Sequence, residues 1–128
     1  MDDRELYRLA LKAADNAYAP YSGFKVGAAL LTGGGEVYTG ANVENSSYGA
    51  TICAERAAFV KAVSEGRRDF SRIAVASPGG SAWPCGICRQ FMYEFNDELI
   101  VISGGCEDNL SRFSLNELLV KGFKLDKK

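Results

Sequence analysis

Histidine is absent from this chain of 128 residues. That excludes Ser-His-Asp and Cys-His machinery, and any metal site with an imidazole ligand. An excess of charge of one sign is also missing. Lys+Arg is 15 and Asp+Glu is 16, a net charge of −1, so no basic surface offers a general grip on nucleic acid. Long apolar runs are missing as well. The longest charge-free stretch, Ile73 to Cys88, has 16 residues and is interrupted by Pro78, Pro84 and three glycines, too short and too broken to span a bilayer. The N-terminal segment carries Asp2, Asp3, Arg4, Glu5, Arg8, Lys12 and Asp15, which no apolar signal core tolerates. Neither membrane nor nucleic acid is expected as a partner. A cytoplasmic location is expected, where cysteines stay reduced and bind metals or do redox work.

What is present suits a soluble globular protein: 47% hydrophobic and 24% charged residues, in a length that predicts one domain, residues 1–128. Leu6, Leu9, Ala10, Ala13 and Ala17 follow helical spacing behind Asp2 or Asp3 as cap, predicting a helix over 3–18. Residues 24–32 and 36–41 read as antiparallel strands around Gly33-Gly34-Gly35. A polar loop over 42–50 leads to a helix over 51–65 that ends at Gly66. Residues 73–76 read as a buried strand, 86–95 as a helix and 99–102 as another buried strand. Ser114 and Glu117 form a capping box before a short last helix. This order predicts an α/β domain with a mixed sheet and helices on both faces, the later strands parallel.

With no histidine, chemistry falls to the cysteines and carboxylates. Cys53, in Cys53-Ala54-Glu55-Arg56, and the pair in Pro84-Cys85-Gly86-Ile87-Cys88 both fall where a helix is predicted to start. Cys-x-x-Cys spacing lets two thiolates reach one tetrahedral ion, usually Zn²⁺. A helix N-terminus, with its unpaired N–H groups, favours thiolates. Three arrangements compete. A closed four-thiolate site would need Cys106, which stands isolated after Gly104-Gly105. A thioredoxin-like redox pair would need a later proline facing the dithiol, and none follows Cys88. Three thiolates with an open fourth position make a catalytic site. Glu55, two residues past Cys53 on the same first turn, favours the third arrangement, because a carboxylate beside an open zinc position is a hydrolytic device.

Cys-Ala-Glu followed by Pro-Cys-x-x-Cys resembles the zinc-dependent nucleoside and nucleotide deaminases, which use a His or Cys as first ligand and a non-ligating Glu as acid and base. The resemblance extends through Tyr18-Ala19-Pro20-Tyr21-Ser22, Phe24-Lys25-Val26-Gly27, Gly40-Ala41-Asn42-Val43-Glu44-Asn45 and Arg89-Gln90, in the order and spacing of cytidine deaminases of the short homotetrameric form. It implies a three-layer α/β/α fold with a mixed five-stranded sheet. It implies one Zn²⁺ per chain on Cys53, Cys85 and Cys88, with Glu55 as proton shuttle. By the same resemblance Asn42 and Glu44 bond the ribose, Phe24 packs on the nucleoside, and the Ala54 N–H meets the pyrimidine carbonyl. Arg56 hydrogen-bonds ligand thiolates, and Tyr48 and Phe123 stand where groups shared between subunits are expected. The implied activity is hydrolytic deamination of cytidine and 2′-deoxycytidine to uridine and 2′-deoxyuridine, a pyrimidine salvage step. Two rivals remain: a blasticidin S-type or other small-molecule deaminase, and a structural zinc or redox module.

Overall fold

A computed structural model describes residues 1–128. Helix α1, Asp3–Ala13, is opened by Asp2 in a capping box: the Glu5 amide donates to Asp2 Oδ1 at 2.8 Å, and the Asp2 amide donates to Glu5 Oε2 at 3.1 Å. It ends well short of residue 18, in a single 3₁₀ turn over Ala14–Asn16. The reason is tertiary. The Tyr18 amide donates to the Asn42 carbonyl at 2.9 Å instead of continuing the helix, and Pro20 holds the residue before it out of helical geometry.

Strands β1, Gly27–Thr32, and β2, Val37–Ala41, form the expected antiparallel pair. Helix α2, Ala54–Ser64, follows and stops at Gly66, whose φ is 92°. Strand β3, Phe70–Ala76, leads through a long loop to helix α3, Gly86–Tyr93. Strands β4, Ile100–Gly104, and β5, Leu110–Ser114, precede helix α4, Leu115–Leu118, which Ser114 and Glu117 cap as predicted. The sheet order is β2-β1-β3-β4-β5, with β3 and β4 parallel and the other pairs antiparallel. Edge strand β5 is an element that the residue pattern did not announce.

Side-chain alternation sorts the core into two layers. Ala29 and Leu31, with Ala74, Ala76 and Ile102, face Leu6, Tyr7 and Ala10 of α1. Ala28 and Leu30, with Ile73 and Val101, face Ala58, Phe59 and Ala62 of α2 and Cys88 and Met92 of α3. The three layers are therefore α1, the sheet, and α2 with α3 and α4. Both cysteine-bearing helices lie on one face, with their N-termini brought together. No helix is long and apolar enough to cross a membrane.

Candidate metal centre and active site

Cys53 is the N-cap residue of α2 and Cys85 that of α3, and neither thiol makes a capping hydrogen bond. Cys88 lies in the first turn of α3 and is fully buried. The three sulfurs lie within 4.8 Å of one another, with Cys53 Sγ and Cys85 Sγ 3.9 Å apart. Cys106 is exposed and outside the cluster. The Cys53 thiol is brought down to about 5, chiefly by hydrogen bonding with Cys88 and also by Arg56 and Cys85. Cys88 is pushed the other way by the same bond and by burial. Three thiols this close cannot all ionise unless a cation joins them, and a soft thiolate trio at two helix N-termini fits zinc.

Arg56 lies against the cluster. Its Nη2 donates to Thr51 O at 3.2 Å and to Cys53 Sγ at 3.6 Å, while its buried Nε has no partner. Glu55 is only 4% exposed. Burial raises its carboxyl to about 7, poised to hold or release a proton near neutrality.

Cys53, Ala54, Glu55 and Cys85 open onto one cavity of about 370 Å³, whose wall also includes Phe24, Val26, Asn42, Val75 and Trp83. Asn42 Oδ1 accepts from the Val26 amide at 2.8 Å, and its Nδ2 donates to the Phe24 carbonyl at 2.9 Å. These side-chain bonds take up the Val26 amide and the Phe24 carbonyl, while the Val26 carbonyl still accepts from the Asn42 amide at 3.2 Å, and β1 begins at Gly27 and not at the predicted Phe24. Glu44 lines an adjoining cavity of about 320 Å³ with Tyr21, Ser22, Tyr48 and Thr51. Its Oε1 accepts from the amides of Tyr21 at 2.9 Å and Ser22 at 3.1 Å, and its Oε2 from the Ser22 hydroxyl. The Ser22 hydroxyl bond is the main reason that its pKa is lowered. Thr51 lines both cavities. Tyr48 is 76% exposed, its ring 5.8 Å from that of Tyr21. Phe123 is 63% exposed and lines neither cavity; its backbone is tied to the Gln90 side chain. Sequence reasoning missed Val26, Val75 and Trp83 as cavity residues. The one available signal was the position of Trp83 just before Pro84-Cys85.

Residues 1–103 match the family model of the cytidine and deoxycytidylate deaminase zinc-binding region. The chain belongs to that deaminase family. A cytidine deaminase of Halalkalibacterium halodurans is 47% identical over 125 residues, 96% of this chain and 95% of that one. The crystal structure of cytidine deaminase from Burkholderia pseudomallei superposes with a TM-score of 0.91 at 43% identity, covering 96% of this chain and all of the other. That of the Mycobacterium tuberculosis cytidine deaminase gives 0.87 at 40% identity, over 98% and 99% of the two chains. The mixed five-stranded sheet and its flanking helices are thus the deaminase fold, and the cysteine trio lies in the family's zinc-binding region.

Proposed function

We propose that this chain, as one catalytic domain over residues 1–128, hydrolyses the exocyclic C4–N bond of cytidine and 2′-deoxycytidine, giving uridine and 2′-deoxyuridine with release of ammonia. One observation carries the reading: the buried Glu55 shares a cavity with Cys53 and Cys85 of the three-sulfur cluster. It is supported by the relatives of this chain that bear the name cytidine deaminase. Cys53, Cys85 and Cys88 would hold one Zn²⁺, which when bound would supply a Lewis acid that activates water. Glu55 takes the proton of the attacking water and delivers it to N3 of the ring, making C4 more electrophilic. Once the C4–O bond has formed, Glu55 takes the remaining proton of the hydroxyl added at C4 and carries it to the amine nitrogen, so that the C4–N bond breaks with loss of ammonia and the C4 carbonyl is left. The Ala54 N–H, in the first turn of α2 and free of an intrahelical partner, donates to the pyrimidine carbonyl. Phe24 packs on the nucleoside. Asn42 and Glu44 bond the ribose; a carboxylate has about four lone-pair sites, and three on Glu44 are taken by the loop. Arg56 offsets thiolate charge.

The proposal extends to a homotetramer with shared sites, in which Tyr48 and Phe123 serve a neighbouring subunit. It is supported by the exposure of both rings and by the absence of Phe123 from the cavity wall of its own chain. A cytoplasmic place in pyrimidine salvage is consistent with four unpaired cysteines.

Ammonia release from cytidine, measured beside Glu55→Ala, tests the reading. The variant keeps its zinc and loses about 10²–10⁴ or more in kcat, the worth of an acid/base group. Undiminished turnover by the variant, or none by the zinc-loaded wild type, overturns it.

A further inference from the structure

Part of the cavity wall is unaccounted for by the deaminase motifs. Ser81, Ala82 and Trp83 come from the loop between β3 and α3, and three contacts hold that loop still. The fully buried Ser103 of β4 places its hydroxyl 2.8 Å from the Val75 carbonyl and 2.9 Å from the Ala82 carbonyl, one proton serving both. The Trp83 indole meets the Phe113 ring of β5 edge to face, with centroids 5.4 Å apart. Earlier in the loop, Gly79 lies so close to Phe24 that a Cβ there would be 3.2 Å from its ring.

We propose that Trp83 determines which substituents the pyrimidine tolerates at C5. The proposal rests on the cytidine reading of the site. The reacting C4 lies at the cysteine cluster, and its ring neighbours are N3 and C5. N3 is the atom that Glu55 serves, and Glu55 belongs to α2, the helix capped by Cys53. Cys85 caps the other helix, and Trp83 stands two residues before it on the restrained loop. A planar ring that turns N3 to α2 turns C5 away from α2, towards the loop. The braced indole cannot retreat without giving up its contact with Phe113, so a methyl group or bromine at C5 meets a wall that hydrogen does not.

The test compares kcat/KM for cytidine, 5-methylcytidine and 5-bromocytidine in wild type and in Trp83→Ala. Methyl and bromine are alike in size but opposite in their electronic effect on C4, so relief of a steric wall raises both values relative to cytidine. A rise of about tenfold or more is expected, the discrimination that a methylene-sized difference gives in an apolar pocket. Phe113→Ala, which keeps the indole and removes its brace, gives a smaller rise of the same sign. Trp83 is the single tryptophan, so wild-type emission gives a second readout without turnover. Uridine changes that emission on binding, and 5-methyluridine does so only at about tenfold higher concentration or more. If Trp83→Ala fails to fold, the Phe113→Ala ratios and the emission titration decide. If zinc-loaded wild type leaves cytidine untouched, the proposal falls with the reading beneath it. If cytidine is turned over but the ratios stay unchanged, or uridine leaves the emission unaltered, the assignment of Trp83 alone falls.

Discussion

Replacing Gly40 by alanine tests how the fold places the site. Gly40 lies on β2 beneath α2. A Cβ there would sit 2.5 Å from the Ala58 amide nitrogen, 2.6 Å from the Ala54 carbonyl oxygen and 3.0 Å from the Ala57 carbonyl carbon. All three are backbone atoms of the helix, so no rotamer change relieves the clash, and the φ of Gly40 is not one that alanine would resist. Ordinary carbon contacts begin near about 3.5 Å, so the helix must move outward by roughly 1 Å. Overpacking of this kind costs about 1–3 kcal/mol, which lowers Tm by roughly 3–15 °C in a chain of this size. The Ala54 carbonyl belongs to the turn that carries Cys53 and Glu55, so the same movement shifts both against Cys85 and Cys88 on α3. A misplacement of about 1 Å can cost around 10²-fold in rate. The assay is thermal unfolding with kcat on cytidine and zinc per chain, beside a control. At Gly27, a Cβ would lie 1.9 Å from the Ala10 carbonyl oxygen on α1, across the sheet from the site. Gly27→Ala therefore loses at least as much stability, while its folded fraction keeps kcat. A Gly40→Ala protein with unchanged Tm and unchanged kcat would refute the argument that close seating of α2 sets the metal geometry.

Three further outcomes are expected. Cys106→Ser still binds about one zinc per chain, and Cys88→Ser does not, because only the latter removes one of the ligands of a single site; metal analysis showing the reverse would restore the four-thiolate arrangement. Arg56→Gln lowers kcat more than it raises KM, since its guanidinium faces Cys53 and Thr51; a change in KM alone contradicts a metal-tuning role. Glu107, held down to about 2 by Arg8 and then Arg4, contributes stability that is present above the ordinary carboxylate value of 4.5 and lost as pH falls from there through about 2; Glu107→Gln should therefore lower Tm at neutral pH, with the gap closing in acid, and a gap that persists in acid removes the ion pair as its cause.

The chemistry of this protein was written in short, local signals. Cys53, Cys85 and Cys88 stood out because thiolate ligation of one ion needs cysteines at particular spacings near helix starts, and Glu55 because it follows Cys53 on the same first turn; such constraints act within a few residues. The apolar parts of β3 and β4, residues 73–76 and 100–102, were equally legible, since a segment covered on both faces must be apolar, whereas residues 70–72 at the start of β3 and 103–104 at the end of β4 were not. The capping box of Ser114 and Glu117, whose partners lie three residues apart, was legible too, while the first helix cap was narrowed to Asp2 or Asp3 and the structure selects Asp2. Tertiary structure decided what depends on distant partners. Strand β5 is exposed and polar, and exists because β4 offers it an edge to pair with. Helix α1 stops early because Asn42 claims the amide of Tyr18, and β1 starts later than predicted because the side chain of Asn42 claims the Val26 amide and the Phe24 carbonyl. The depth at which Glu55 is buried depends on how closely α2 packs against Gly40, and the Trp83 wall depends on Ser103 and Phe113, which lie 20 and 30 residues further along the chain. Local pattern carries the identity of the reactive groups because their chemistry is intrinsic. Their burial and placement come from packing between segments far apart in sequence, which no local window contains.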